Sequence, residues 1–544
     1  MSEKIIEYDF NFRYKGETVQ SLSDVKGFIE KGKCTVLCGS SGCGKSTFLR
    51  CINHLIPQFY EGELKGFCLV NGKDTKDLSI GETGELVASV FQDPRSQFFT
   101  TDSSAEVAFG LENFGLSHEE IVKRVDNVYS EFGLEKLKDR NVFELSSGER
   151  QLVAILSAQA LDTDIFLLDE PTANLDLSAI EKLKNLLMVL KERGKTLIIN
   201  EHRLYYLRDI ADEFVLMDKG KISKCFSAEE IKSLSEEQLA EKKLRAISLD
   251  GIKFDPVQNV GLSENNLLKA DNIHFSYKKK SDEILSGVSL EAKTGDVIGL
   301  IGSNGSGKTT FGKLIGGLLN ATSGNFTFNN EPLTSKVLTR KSIFIMQEAE
   351  FQFFSNSVTN ELRYGREITP QLEADIERML KMFNMWECRE RHPFSLSGGQ
   401  MQKLVLLLAY FSPKPIVILD EPTAGLDKES LKSCSDIINE MRKKKIVFII
   451  THDLELISKV CTGCIYISKG KIAEKFKLSG EDDFKRLSDC MQNKFSLSDN
   501  QRPLSKKDTS DRCDLRVKFA YLLVAILVTA GNTPKLTATV FIAL

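Results

Sequence analysis

The sequence predicts two α/β domains in tandem, each built round a parallel sheet. Three observations carry that prediction. A polar, glycine-containing peptide leading into an apolar-periodic helix occurs twice, as Leu145-Ser146-Ser147-Gly148-Glu149 and Leu396-Ser397-Gly398-Gly399-Gln400. A branched, apolar run ending in two adjacent carboxylates also occurs twice, at Ile165 to Glu170 and Ile416 to Glu421. Both pairs repeat at an offset of 251 positions, so about half the chain is duplicated and the domain count follows from that. Short apolar runs bounded by helical sequence are the pattern of strands buried on both faces.

The first half opens with a strand, Tyr8 to Tyr14. A second strand, Cys34 to Cys38, delivers Gly39-Ser40-Ser41-Gly42-Cys43-Gly44-Lys45-Ser46-Thr47, and a helix follows from Phe48 to Leu55. This is the pattern of a phosphate-binding loop. Its glycines let backbone N–H groups wrap the phosphates, Lys45 reaches the β- and γ-phosphates, and Ser46 can hold Mg²⁺. Beside such a loop Tyr14 is either a platform for an adenine ring or an ordinary strand aromatic.

The strand Leu86 to Phe91 delivers Gln92, whose amide can reach both metal and attacking water. Directly after it comes Gln97-Phe98-Phe99. At Ser146 and Gly148 the signature peptide starts a helix, whose free N–H groups and dipole favour an anion. Of the paired carboxylates, Asp169 is suited to the metal and Glu170 to polarising a water. Asn174-Leu175-Asp176 then forms a loop able to touch a facing domain. The strand Thr196 to Asn200 ends at His202, placed to contact a γ-phosphate.

Every one of these features recurs in order: Tyr277, the loop Gly302-Ser303-Asn304-Gly305-Ser306-Gly307-Lys308-Thr309-Thr310, Gln347, Gln352-Phe353-Phe354, the peptide from Ser397 through Gly398, Gly399 and Gln400, Asp420-Glu421, Gly425-Leu426-Asp427 and His452. The boundaries read from composition are a first domain over 1–225, a linker over 226–266 and a second domain over 267–478. A polar connector over 479–514 and an apolar tail over 515–544 follow. The apolar run Phe519 to Ala530 falls short of the ~20 residues a membrane-spanning helix needs.

Both halves resemble ATP-binding-cassette (ABC) nucleotide-binding domains, from about Lys4 to Lys475. The resemblance implies a small antiparallel sheet and a helical subdomain beside each parallel core, and it implies ATP hydrolysis. It makes Lys45 and Lys308 phosphate ligands, and Ser46, Thr309, Asp169 and Asp420 magnesium ligands assisted by Gln92 and Gln347. Glu170 and Glu421 become the bases, and His202 and His452 the γ-phosphate switches. It also implies that each signature closes over the ATP held by the other half. Ser147 and Glu149 depart from the family pattern, so unequal sites are expected, with the Lys45 site the more typical.

The Gln-Phe-Phe segments resemble the ATPase components of energy-coupling-factor importers and of cobalt and nickel uptake systems; core packing behind Gln92 and Gln347 is the other reading of their Phe pairs. That likeness implies two partners, a transmembrane T component and a small membrane substrate-binding subunit, at the cytoplasmic face of the cell membrane. The tail resembles the start of such a T component; a core or interfacial helix is the other reading of its apolar run. A soluble twin-cassette ATPase acting on ribosomes or DNA is the alternative.

At 544 residues with 42% hydrophobic content, the chain can fill two sizeable cores. A net charge of −4 offers no basic field for nucleic acid. Its 12 cysteines are scattered and no signal peptide precedes them, which favours reduced thiols in a cytoplasm. Cys461-Thr462-Gly463-Cys464 has redox-like spacing but lies beside apolar strand sequence, with no second ligand pair.

Overall fold

Buried along its whole length, Cys34–Gly39 is a central strand of the first half. The computed structural model describes residues 3–173, 175–255, 266–277, 283–347 and 352–497. Asn174, the end of the expected linker (256–265) and the expected apolar tail (515–544) lie outside the described residues.

The large sheet of the first half has the strand order Lys221–Ser227, Glu213–Asp218, Cys34–Gly39, Thr196–Asn200, Ile165–Asp169, Val87–Val90. The last five run parallel, and Lys221–Ser227 closes one edge antiparallel. The second half repeats this as Lys471–Lys477, Gly463–Ser468, Val297–Ile301, Ile446–Ile450, Ile416–Asp420, Ser342–Ile345. Each half also has a four-stranded antiparallel sheet, Leu22–Glu30, Lys4–Tyr14, Gly62–Val70 and Lys73–Asp74 in the first. Leu22–Glu30 escapes sequence patterning because its burial is irregular and charged residues interrupt it.

Between the two sheets of the first half, Phe10 and Phe12 pack with Phe48 and Ile52 from the helix after the phosphate loop. On the opposite face of the large sheet, Phe166 and Leu197 pack beneath Val107, Ile155 and Leu187 of three helices. The parallel strands therefore read as unbroken apolar runs, since both faces are covered.

The segment expected as a linker is packed rather than free. Helices Ala228–Lys232 and Glu236–Glu241 begin with capping boxes at Ser227 and Ser235. Ile231, Leu239, Leu244 and Ile247 join the first core, while Ile252 and Phe254 join the second. The segment expected as a polar connector begins with the helix Glu481–Leu497. Phe484, Leu487 and Met491, at i, i+3 and i+7, bury one stripe of it, and Phe484 stacks on Phe254 at 5.8 Å. Both segments look polar by composition because only one narrow face of each is apolar. Among the described residues no helix is long and apolar enough to cross a membrane.

Candidate functional site

The residues singled out from sequence gather at the carboxyl ends of the parallel strands, where open α/β sheets place their ligand crevices. In the phosphate loops, Lys45 Nζ donates to the carbonyls of Gly39 at 3.0 Å and Ser40 at 3.1 Å. Lys308 repeats this with Gly302 at 2.7 Å and Ser303 at 3.0 Å. Gly44 and Gly307 cap the following helices with φ of 106° and 104°. A Cβ there would also meet Leu22 at 2.8 Å and Leu285 at 2.7 Å, so glycine is demanded twice over. Cys43 is buried in its loop, and burial pushes its thiol up.

Asp169 Oδ1 accepts the Ser46 hydroxyl at 3.0 Å and the Asn200 side-chain amide. Asp420 accepts from Thr309. Burial raises the pKa of both aspartates. A hydroxyl and a carboxylate oxygen held together beside the phosphate loop are the hard donors that Mg²⁺ takes, so the residues present fit that ion. Glu170 and Glu421 sit at φ 44° and 46°, a strained left-handed backbone of the kind found at functional sites. Gln92 Nε2 donates to Glu170 Oε2 at 2.9 Å, and His202 Nε2 lies 3.5 Å from Glu170 Oε1. In the second half Thr451 donates to Glu421 at 3.3 Å, and His452 Nε2 is 3.8 Å away. Burial raises Glu421 to about 7 and pushes His452 well below its ordinary value. A carboxylate poised near neutrality can take a proton from water.

The two halves meet over these groups. A cavity of about 1050 Å³ joins Lys45, Ser46, Thr47 and Tyr14 of the first half to Ser397, Gly398 and Gly399 of the second. Another, of about 460 Å³, joins Lys308, Thr309 and Glu421 to Ser147 and Asp176 of the first half. Gln347 lines both. Tyr14 and Tyr277 set their hydroxyls 3.2 Å and 3.3 Å from Thr47 and Thr310, each ring edge-on to a phenylalanine two residues earlier.

Within the signatures, Ser146 and Ser397 are N-caps. Gly148 and Gly399 let the helix approach the next one, since a Cβ would meet Ala179 at 2.6 Å and Ser430 at 2.7 Å. Glu149 turns its carboxylate back onto the Ser146 N–H and hydroxyl, both at 2.8 Å, as Gln400 does onto the Ser397 N–H at 3.0 Å.

The Cys461 and Cys464 thiols are buried against Gly299, and burial raises the Cys464 pKa. That chemistry suits core packing.

A family model described as ABC transporter matches residues 22–173 and 285–424, one stretch in each half. A Treponema denticola protein with the provisional name ABC transporter ATP-binding protein is 38% identical over 479 residues, covering 87% of this chain and 96% of that one. The chain belongs to the ABC transporter family. As an ABC protein it is an ATPase using ATP with Mg²⁺, and family members of this kind serve as ATP-binding subunits of membrane transporters. A Bacillus subtilis relative, provisionally named HMP/thiamine import ATP-binding protein YkoD, is 28% identical over 474 residues, covering 82% of this chain and 87% of that one. The solved archaeal ribosome recycling factor aABCE1, in complex with the stalk protein aP1, aligns with a TM-score of 0.60 at 20% identity. That match covers 88% of this chain and 92% of that one, and it shows the shared twin-cassette fold.

Four side chains at or near these ABC sites were not found from sequence. Glu106 and Glu361, buried and 255 positions apart, accept the backbone N–H groups of Phe99 and Thr100, and of Phe354 and Ser355, at 2.6 to 3.0 Å. The repeat offset of Gln92 and Gln347 would have revealed them. Asn200 and Arg203 have no matching counterpart, since Ile450 and Asp453 stand at their repeat positions, so the duplication gave no signal.

Proposed function

We propose that the chain is the ATP-hydrolysing subunit of an energy-coupling-factor-like importer, driving uptake of a vitamin or transition-metal ion at the cytoplasmic face of the cell membrane. The observation that carries this reading is a duplicated aromatic surface beside the Gln loops. Phe98 and Phe353 pack inward, but Phe99 and Phe354 are 74% and 76% exposed. Phe99 stacks on Phe109 at 4.7 Å and Phe354 on Tyr364 at 6.0 Å. Phe143 and Phe394 add a further exposed ring in each half. Buried Glu106 and Glu361 hold the loops that display them. Exposed clusters of aromatic rings suit partner helices, here those of a T-like membrane subunit. The thiamine-import name of the Bacillus subtilis relative accords with a vitamin as cargo. The apolar tail 515–544, read from sequence as the start of a T-like segment, would add to membrane attachment.

In this reading each ATP is held by the phosphate loop of one half and the signature of the other. Lys45 and Lys308 bind the β- and γ-phosphates, and Tyr14 and Tyr277 flank the base. Ser46 with Asp169, and Thr309 with Asp420, would hold Mg²⁺, which supplies charge neutralisation between the phosphates. Glu170, oriented by Gln92, and Glu421, oriented by Thr451, draw the proton from the attacking water. His202 and His452 sense the γ-phosphate, and its loss lets the halves separate. The Lys45 site, closed by the regular signature, is the faster of the two.

Affinity capture of the tagged chain from detergent-solubilised membranes tests this. Recovery of a T-like protein with a small, very hydrophobic subunit is the expected result. Recovery of ribosomal or DNA-repair proteins without a membrane partner would overturn it.

A further inference from the structure

Arg203 is buried at the junction between the halves, where it lines the cavity that holds Lys308, Glu421 and His452. It belongs to the half that does not carry that phosphate loop. Its Nη1 donates to the carbonyls of Thr172 and Leu175, both at 3.3 Å. Carbonyls fix the direction of a guanidinium without cancelling its charge. The nearby Glu201 carboxylate is engaged by the Thr172 hydroxyl at 2.6 Å, the Tyr206 hydroxyl at 3.1 Å and the backbone N–H groups of His202 and Arg203.

The second half solves the same local problem differently. There Asp453, at the repeat position of Arg203, accepts the Thr423 hydroxyl at 2.8 Å. In the first half Glu201 makes the corresponding bond from the other side of the histidine, which frees position 203 for a cation. Asp453 is in turn neutralised by Arg245 at 2.6 Å, whose Nη1 reaches the Leu426 carbonyl at 3.5 Å, the repeat equivalent of Leu175. Arg245 is not among the residues lining the Lys45 cavity, whereas Arg203 does line the Lys308 cavity. The second cation lining the Lys308 cavity therefore comes from the facing half, whereas in the Lys45 cavity it is Lys219 of the same half.

The geometry points to Arg203 as a phosphate-directed cation supplied in trans to the Lys308 site, acting on the γ-phosphate end of a nucleoside triphosphate. This rests on the composite-site reading above. It also gives the site closed by the Glu149-bearing signature a buried cation from the facing half, whereas the second-half residues lining the Lys45 cavity include none. An arginine suits the task because its planar fork stays charged when buried and matches phosphate oxygens.

The test uses the full chain in an E170Q/E421Q background, where both sites should bind Mg·ATP without turnover. Adding K45A leaves the Lys308 site to be read by calorimetry, and adding K308A leaves the Lys45 site. R203Q should weaken ATP at the Lys308 site about ten-fold or more and leave the Lys45 site within about two-fold, with R203K recovering most of the loss. With E170Q alone, R203Q should slow turnover; with E421Q alone, it should not. Equal weakening at both sites, or none at either, would make Arg203 a strut of the Thr172–Leu175 turn and overturn the inference. R203K behaving like R203Q would overturn it too. Should R203Q fail to fold, R203K decides, because a smaller loss confined to the Lys308 site supports the inference and any other pattern defeats it. If K45A and K308A do not each remove one of two ATP-binding events, the composite-site reading has failed and takes this inference with it.

Discussion

Asp427 Oδ2 accepts the backbone N–H of Ser41 at 2.6 Å, tying the loop after one Asp-Glu pair to the phosphate loop of the opposite half. Asp176 makes the reciprocal bond to Asn304 at 3.0 Å. Each aspartate uses its other oxygen to cap the helix that follows, Asp427 on Ser430 and Asp176 on Ala179, both at 2.8 Å. Burial works to raise the Asp427 pKa, but the two backbone donors outweigh it and hold the carboxyl below its usual range.

These aspartates join helix capping to a contact between the halves, and substitution separates the two. D427N keeps a capping side chain and loses the charge aimed at Ser41; D427A loses both, at about 1 kcal/mol more in stability. D427N should therefore melt close to wild type yet lower ATPase several-fold, mainly at the Lys45 site. Thermal melts beside steady-state ATPase check this.

Glu170→Gln and Glu421→Gln should each abolish turnover at one site and preserve ATP binding there. The Lys45 site is the more typical, so E170Q should cost more of the total rate than E421Q. Equal losses would show that the Ser147 and Glu149 departures do not make the sites unequal.

Phe99→Ser and Phe354→Ser remove rings that are mostly exposed, so stability should stay within about 0.5 kcal/mol of wild type. Basal ATPase of the isolated chain should be unchanged, while recovery of the membrane partner in affinity capture should fall sharply. By contrast, Glu106→Gln loosens the backbone that presents Phe99 and should weaken partner recovery with the rings intact.

Arg245 holds the packed interdomain segment to the second half through Asp453 at 2.6 Å and Glu455 at 2.9 Å, with all three side chains buried. Removing one member strands a buried charge, and R245Q should cost about 3–5 kcal/mol at neutral pH. Burial works to raise the Glu455 pKa, but Arg245 and Lys428 outweigh it and hold the carboxyl well below its usual range. A depressed folded-state pKa gives stability that is present above the unfolded value and lost as pH falls below it. The gap between wild type and R245Q should therefore be full at pH 7 and shrink once the pH drops below about 4.3. Urea melts across that range measure it.

Much of the fold was legible because the chain states it twice. The Asp-Glu strands, the phosphate loops and the histidines recur in the same order at offsets of 251, 263 and 250, so features that mean little singly gained weight from their copies. Leu22–Glu30 and the Phe484–Met491 stripe were not legible, because irregular or narrow apolar faces are diluted by the charged residues around them. Glu106 and Glu361 were visible in principle at the 255-residue offset. Arg203 was not, since its importance lies in differing from its repeat partner Asp453.

Local chemistry was thus determined by sequence alone: glycines where a phosphate must be wrapped, carboxylates ending buried strands, caps opening the signature helices. Only the tertiary structure decided which loops of the two halves touch, because that depends on packing the halves so that Asp427 meets Ser41 and Asp176 meets Asn304. It alone decided which member of each Phe-Phe pair faces solvent, since neighbouring residues of one composition can point to opposite sides of the same loop. It also turned Glu149 back onto its own helix and carried Arg203 into the opposite site, through contacts between residues far apart in the chain.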